Sequence, residues 1–104
     1  MGITHDPQLS LLFKALADDV RIQILDELRH RDHQSLSEIC ARLIDTHDLT
    51  LTRQGISRHL ARLEEAGLIR TDWQGRTKIH SLSARPLTKV IEPWLVPFRE
   101  GDEK

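Results

Sequence analysis

Residues 49–69 read LTLTRQGISRHLARLEEAGLI, and this stretch decides which fold we expect. Thr52 can cap a helix, because its hydroxyl can accept a hydrogen bond from an early backbone N–H. The apolar residues that then recur at intervals of four and three are Ile56, Leu60 and Leu63. Gly67 follows at a position where helices commonly end in a left-handed residue. The stretch therefore predicts one amphipathic helix with defined ends.

The face opposite those apolar residues is polar and positively charged. A step of ~100° per residue from Ile56 places four residues on this face, and they are Gln54, Arg58, Ala61 and Glu65. Ser57 and Arg62 flank them. Glutamine can pair with adenine, arginine with guanine, and serine with either. The first turns of the helix therefore carry groups that can read DNA bases, although a solvated structural helix could show the same pattern.

The chain has 104 residues and a formal net charge of −1, but its positive charge is segregated. Residues 1–49 hold five Lys+Arg and nine Asp+Glu, a sum of −4. Residues 50–82 hold six Lys+Arg and three Asp+Glu, a sum of +3, and residues 83–104 hold four of each. A basic segment in a near-neutral chain suits a protein that approaches a polyanion with one face.

Length and composition predict a single domain over residues 1–104, long enough for one modest core. The apolar runs are too short for a membrane span or a secretory segment, so we expect a cytoplasmic protein. Cys40 is the only cysteine and is best interpreted as a core or boundary residue, with a sensing thiol as the alternative. No metal cluster or cofactor motif is visible. No Ser/His/Asp set, paired carboxylates or Gly-rich phosphate loop indicates an enzyme.

Three further helices are predicted before residue 49. Asp6, Asp18 and either Ser35 or Ser37 can cap them. Their apolar faces are Leu9, Leu12, Phe13 and Leu16 on the first, Val20, Ile24, Leu25 and Leu28 on the second, and Ile39 and Leu43 on the third. The intervals of three and four residues between these positions are typical of helices that bury one face.

Two short strands are predicted after Gly67, over residues 68–73 and 77–82, around the dipeptide Gln74-Gly75. Trp73 near the tip is expected to pack under the hairpin, with contact to a DNA sugar as the alternative. A last helix follows, and Pro93 should kink or shorten it. The fold class is therefore mainly α with a small β-hairpin wing, a winged helix-turn-helix.

Four runs resemble the ArsR family of bacterial winged helix-turn-helix repressors, and they are LFKALADDVRIQILDEL, LSEICARL, TRQGISRHLARLEEAGLI and GRTKIHSL. The resemblance extends over roughly residues 9–95. It implies a homodimer, held by the first and last helices, that presents two recognition helices to a palindromic DNA operator. In the family's SxHL pattern, His59 is implied to approach the DNA backbone rather than to pack in the core.

Two sets of residues follow from the helix face, the wing and the resemblance. The residues expected to contact DNA are Thr52, Arg53, Gln54, Ser57, Arg58, His59, Arg62, Arg76 and Lys78. Apolar surface on the terminal helices exceeds what one small core needs, which indicates an interface. The residues expected in the dimer interface are Leu11, Leu87, Val90, Ile91, Trp94, Leu95 and Phe98.

The chain departs from the resemblance in two ways. Ser35 and Ser37 stand where metal-sensing members carry a CxC pair, and residues 84–98 contain no Asp or His for the other standard metal site. A single cysteine cannot form the pair used by redox sensors, so we expect a non-metal-sensing member. Residues 44–49, IDTHDL, also make the segment before the recognition helix about six residues longer than usual. The alternative function is a winged-helix module that binds protein and no DNA.

Overall fold

The computed structural model describes residues 6–47 and 51–102. Within these residues, helices enclose one apolar core and a small sheet lies beside it. In chain order the elements are α1 (Pro7–Leu16), α2 (Asp19–His30), β1 (Gln34–Ser35), α3 (Leu36–His47), α4 (Arg53–Glu65), β2 (Ile69–Gln74), β3 (Thr77–Leu82), a π-helical segment (Leu87–Ile91) and α5 (Glu92–Asp102).

The first two helices begin at the predicted capping residues. Asp6 Oδ1 accepts a hydrogen bond from the backbone N–H of Gln8 at 2.9 Å, at the start of α1. Asp18 Oδ1 accepts from the backbone N–H groups of Val20 and Arg21 at the start of α2. These bonds satisfy donors that have no partner within the helix, so the local sequence sets both helix starts.

Ser35, rather than Ser37, caps α3. Its Oγ accepts from the backbone N–H of Glu38 at 3.2 Å, while Glu38 Oε1 accepts from the backbone N–H of Ser35 at 2.9 Å. This reciprocal pair is a capping box. Helix α3 extends to residue 47, so the first four residues of the IDTHDL segment continue the helix. Residues 48–50 lie outside the described residues.

The core joins the inward faces of all four leading helices and the start of β2. Its fully buried members include Leu12, Ile24, Leu28, Ile39, Leu43, Ile56, Leu63 and Leu68. Phe13 was expected in this core, but 39% of it is exposed and Ala15 takes the place on the buried face of α1. The reason is geometric, because the face of α1 that meets the core is narrow and Phe13 lies at its edge.

A third strand, β1, was not predicted. It pairs antiparallel with β3, which also pairs with β2, so the strand order is β1-β3-β2. Asp32 Oδ1 accepts from the backbone N–H of Leu82 at 2.7 Å, and His33 Nδ1 lies 2.7 Å from Ser81 Oγ. These side-chain contacts fix the chain before β1. A two-residue strand is too short to show an alternating pattern in the sequence.

The hairpin turns one residue later than expected. Gln74 pairs with Thr77, so the two loop residues are Gly75 and Arg76 rather than Gln74 and Gly75. Gly75 has φ 63°, a value that glycine adopts without steric cost. A glycine at the first loop position is the requirement of a type II′ turn. Arg76 therefore lies at the tip of the wing.

The last helix is not ended at Pro93. The segment Leu87–Ile91 is π-helical, and α5 begins immediately before Pro93. The backbone N–H of Glu92 bonds to the carbonyl of Leu87, five residues earlier. Pro93 lacks a backbone donor, so a distortion of the helix was expected near it. The distortion is the π-helical hydrogen bonding just before Pro93. None of the described helices is long and apolar enough to cross a membrane.

Candidate nucleic-acid interface

Helix α4 separates a buried face from an exposed face as predicted. Ile56 and Leu63 are fully buried, and Leu60 is nearly so. The predicted outward residues Gln54, Ser57, Arg58, Ala61 and Glu65 are all exposed. Because the apolar face is already covered by the chain itself, the polar face is free for a partner. Its first turns combine an amide, a hydroxyl and a guanidinium, which can form hydrogen bonds with base edges in a DNA major groove.

The start of α4 adds groups suited to a phosphate. Thr52 Oγ1 accepts from the backbone N–H of Gly55 at 2.9 Å, so this side chain caps the helix. Its hydroxyl hydrogen can still donate to another group. Arg53 is exposed beside it, and Arg62 is exposed two turns further along the helix. A helix N-terminus and nearby guanidinium groups favour an anion.

Glu64 connects the C-terminal end of α4 to the wing. Its Oε2 accepts from Thr71 Oγ1 of β2 at 2.7 Å. Its Oε1 lies 4.0 Å from Lys78 Nζ of β3, with both side chains more than two-fifths exposed. Glu64 therefore helps to set the position of the wing relative to α4, and it compensates part of the charge that Lys78 could offer to a phosphate.

A groove of 430 Å³ lies between the starts of α3 and α4 and the wing. Its lining residues are Ser35, Leu36, Ser37, Arg53, Trp73, Arg76, Thr77 and Lys78. Trp73 was expected to pack, but 68% of it is exposed, because the core ends below this level of the hairpin. Sequence reasoning thus missed Trp73 as a surface residue. Three cations and an exposed indole ring in one groove suit a sugar-phosphate strand.

His59 lies at the junction of α4 with α2 rather than on the fully exposed face. Its Nδ1 is 3.1 Å from Arg21 Nη1 and 3.9 Å from Asp18 Oδ1. The pKa of Asp18 lies below its usual value. Burial would raise it, but the hydrogen bond from the Arg21 backbone N–H, the charge that His59 carries when it is protonated, the charge of Arg21 and the Val20 N–H together lower it more.

The base of the wing contains a buried histidine. His80 is 6% exposed, and its Nδ1 lies 3.1 Å from the backbone carbonyl of Gln34. Burial lowers the pKa of His80, the Gln34 hydrogen bond partly offsets this, and the charge of Lys78 lowers it further. Since a carbonyl only accepts, His80 carries its proton on Nδ1.

The described residues contain no group of three or more His, Cys, Asp or Glu that could hold a metal ion. The Ser35 hydroxyl caps α3, and Ser37 is exposed. Cys40 is partly buried, and burial raises the pKa of its thiol. A raised pKa lowers the thiolate fraction and so the reactivity of this cysteine.

A second surface lies on the terminal helices, and we call it the apolar terminal surface. Its large exposed side chains are Leu11, Phe13, Trp94, Leu95 and Phe98. The Trp94 ring centroid lies 5.3 Å from that of Phe13 and 4.9 Å from that of Phe98. Phe13 was not in the predicted interface set. The aromatic cluster therefore joins α1 to α5 at the surface.

The other predicted interface residues are less accessible. Leu87 and Val90 are partly buried against the core. Ile91 is 9% exposed and belongs to the core of the chain itself, so its assignment to an exposed interface is corrected. The π-helical segment leaves Ile91 facing inward, whereas Trp94 and Phe98 of α5 face away from the core.

A basic wing beside the exposed polar face of α4, with α3 packed before it, defines a winged helix-turn-helix protein. The chain matches the helix-turn-helix domain model over residues 16–72. It is 40% identical over 84 residues to an uncharacterised HTH-type transcriptional regulator, YuzN, from Bacillus subtilis, and this covers 81% of the chain and 91% of that protein.

Two further comparisons agree with this class. The chain is 33% identical to the transcriptional activator HlyU from Vibrio cholerae, over 79% of the chain and 69% of that protein. An ArsR-like transcriptional regulator from Rhodococcus superposes with a TM-score of 0.74 and 31% identity, covering 92% of the chain and 84% of the other. The chain belongs to the ArsR family of winged helix-turn-helix transcriptional regulators.

Proposed function

We propose that this chain is a sequence-specific DNA-binding regulator that acts as a homodimer on an operator with two-fold symmetry. One observation carries the proposal. Helix α4 buries Ile56 and Leu63 in the chain's own core while it presents Gln54, Ser57 and Arg58 to solvent. Polar groups that can pair with bases, displayed on a fixed helix, suit the major groove.

The DNA-contacting residues divide into two roles. Gln54, Ser57 and Arg58 read bases, because they occupy the exposed first turns of α4. Thr52, Arg53, His59 and Arg62 hold the phosphate backbone, and the wing residues Arg76 and Lys78 contact the backbone or the minor groove. Phosphate contacts position the protein on the duplex, and base contacts give the sequence preference.

A second copy of the chain covers the apolar terminal surface in this proposal. Leu11, Trp94, Leu95 and Phe98 form its exposed centre, and Leu87 and Val90 lie at its edge. A two-fold interface uses the same patch on both copies. Two recognition helices then meet half-sites about one helical turn apart, which is the spacing expected for a palindromic operator.

The direction of regulation is also part of the proposal. Occupation of a promoter by the dimer would repress transcription, although the related HlyU protein is described as an activator. A promoter-reporter assay with and without the protein distinguishes the two directions. We further propose that residues 1–104 form one domain that works in the cytoplasm without a cofactor or a catalytic activity.

The experiment that tests the function is selection of bound fragments from the source genome. Binding of a selected fragment is then measured by fluorescence anisotropy at several salt concentrations, beside a shuffled sequence of the same length. We expect preference for the selected fragment and a steep fall of affinity with salt, because bound phosphates release counterions. Absence of any preference, together with no salt dependence, would overturn the proposal and favour the protein-interaction module.

A further inference from the structure

Arg21 of α2 contacts the C-terminal end of α1 and the middle of α4. Its Nε donates to the carbonyl of Ala15 at 2.6 Å, and its Nη2 donates to the carbonyl of Lys14 at 3.2 Å. Both carbonyls lie in the last turn of α1, where the helix leaves carbonyl groups short of partners, and the Lys14 carbonyl also accepts from the backbone N–H of Ala17 at 3.3 Å. A cation there is also favoured by the helix dipole. Arg21, with its side chain only 16% exposed, is therefore fixed to α1.

The third contact of the guanidinium determines which tautomer His59 of α4 adopts. Arg21 Nη1 lies 3.1 Å from His59 Nδ1. Because arginine only donates hydrogen bonds, His59 Nδ1 must accept. An imidazole with an accepting Nδ1 is neutral and carries its hydrogen on Nε2. Asp18 Oδ1 is 3.9 Å from the same nitrogen, beyond hydrogen-bond distance, so Arg21 is the partner that selects the tautomer.

This tautomer leaves one polar hydrogen on the ring. The hydrogen bonds of the described residues use Nδ1 of His59 and leave Nε2–H without a partner. The side chain is 22% exposed on the helix that carries the base-reading groups. A neutral N–H donor held in a fixed orientation suits a phosphate oxygen, which accepts hydrogen bonds in most protein–DNA contacts.

We propose that Arg21 is a positioning residue for DNA binding, which holds His59 as the Nε2–H tautomer and fixes that donor for a phosphate of the DNA backbone. The inference rests on the proposed function, since the ligand is DNA. It also means that one side chain connects α1, which carries part of the apolar terminal surface, to the recognition helix.

The first test uses Arg21→Lys, which keeps the positive charge but cannot contact three acceptors from one planar group. We expect roughly a tenfold loss of affinity for the selected fragment, the effect of one hydrogen bond to a charged group. Arg42→Lys is the matched control, because Arg42 Nε lies 3.6 Å from Glu27 Oε2 in a different contact between helices. The control should stay within about twofold of the wild type.

A double-mutant cycle separates positioning from general stability. If Arg21 acts through His59, then Arg21→Lys should change affinity little when His59 is already alanine. An equal loss from Arg21→Lys in both backgrounds would overturn the positioning role. Circular dichroism and thermal melting establish that each variant is folded, and Arg21→Gln replaces Arg21→Lys if the latter unfolds.

A second readout is the tautomer of His59 in the free wild-type protein. Imidazole ¹⁵N NMR of the free wild-type protein should show an unprotonated Nδ1 and a protonated Nε2 at His59, assigned by comparison with His59→Ala. Arg21→Lys should give a mixture of tautomers. A protonated Nδ1 in the wild type overturns the proposal. If the wild type binds no genomic fragment, the proposed function fails and the role of Arg21 fails with it. If the wild type binds specifically but the effects of the two variants are additive, only the role of Arg21 fails.

Discussion

Helix α4 and helix α5 both expose side chains to solvent, but the exposed groups have opposite chemistry. The exposed first turns of α4 carry Gln54, Ser57 and Arg58, whereas α5 exposes Trp94 and Phe98. Helix α4 also contributes buried residues to the core, whereas near α5 only the preceding segment does so, through Ile91. The difference therefore lies in what each exposed face requires from a partner.

The exposed polar side chains of α4 are well solvated in water. They confer specificity only when a partner offers complementary hydrogen bonds. Large apolar groups in water are unfavourable, and each square ångström removed from water contributes about 25 cal/mol. The proposed function assigns selective, salt-sensitive recognition to α4 and association to the terminal helices. Three experiments test this division and two test the base of the wing and the response to metal ions, in order from the largest expected effect to the smallest.

Trp94→Ala should have the largest effect. Trp94 contacts both Phe13 and Phe98, so it is the centre of the aromatic cluster. We expect dimer formation to weaken by about 2 to 4 kcal/mol, the loss typical of an interface hot spot. Sedimentation at micromolar concentration should show a shift to monomer, with loss of specific DNA binding.

The matched control is Ile44→Ala, because Ile44 is similarly exposed but lies on α3. It should sediment like the wild type. A wild-type protein that sediments as a monomer and still binds one half-site tightly would contradict the division of roles. Ile91→Asp is unsuitable for this test, because Ile91 is in the core and a buried charge would destabilise the fold.

Arg58→Ala and Gln54→Ala should each cost about 1 to 3 kcal/mol on the selected site and relax preference at one base pair. Both side chains are exposed on the outward face of α4, so neither change should alter the melting temperature. Anisotropy with a panel of single-base operator variants measures the preference. Arg29→Ala, which removes an exposed arginine on α2, is the control. Equal losses on specific and shuffled DNA would remove these residues from base readout.

Arg76→Ala and Lys78→Ala should weaken binding to all sequences and lower the salt slope by about one for each phosphate that is no longer neutralised. The structure predicts a larger effect for Arg76. It lies in the wing loop, whereas Glu64 already compensates part of the charge of Lys78. Affinity measured against salt concentration gives the slopes. An unchanged slope in the double variant would exclude the wing from the interface.

The buried His80 predicts a smaller effect, on stability. Its pKa is below the usual 6.5 chiefly because it is buried, so the unfolded chain binds its proton more readily. This contribution to the free energy of unfolding is complete above pH 6.5 and decreases as the pH falls below 6.5. Urea unfolding over that range should give a free energy of unfolding that depends less on pH for His80→Asn than for the wild type. His30→Asn, at an exposed position, should keep the wild-type dependence.

Metal ions should have no effect on DNA affinity. The capped Ser35, the exposed Ser37 and the partly buried Cys40 do not form a set of metal ligands. Anisotropy should give the same affinity after chelation and after addition of zinc, cadmium or arsenite. A stoichiometric change in affinity would mean that residues outside this set bind the ion.

The sequence predicted the parts of the molecule that depend on near neighbours in the chain. Asp6, Asp18 and Thr52 cap their helices as expected, and the α4 face containing Ile56 is buried. These features follow from hydrogen bonds within three residues and from the helical period. The exposed position of Gln54 and Arg58 was predictable for the same reason, although their contacts with DNA remain predictions.

Other features were decided only when distant segments packed together. The expectations for Phe13, Trp73 and Ile91 were wrong about burial. Each residue lies in the predicted helix or strand, but its burial depends on where the core ends. The two-residue strand β1 exists only because β3 lies beside it. Arg21 and His59 are 38 residues apart in sequence, and no local pattern relates them. Helix boundaries are set by neighbours along the chain, whereas burial and side-chain pairing across α1, α2 and α4 are set by the shape of the space that the folded elements leave between them.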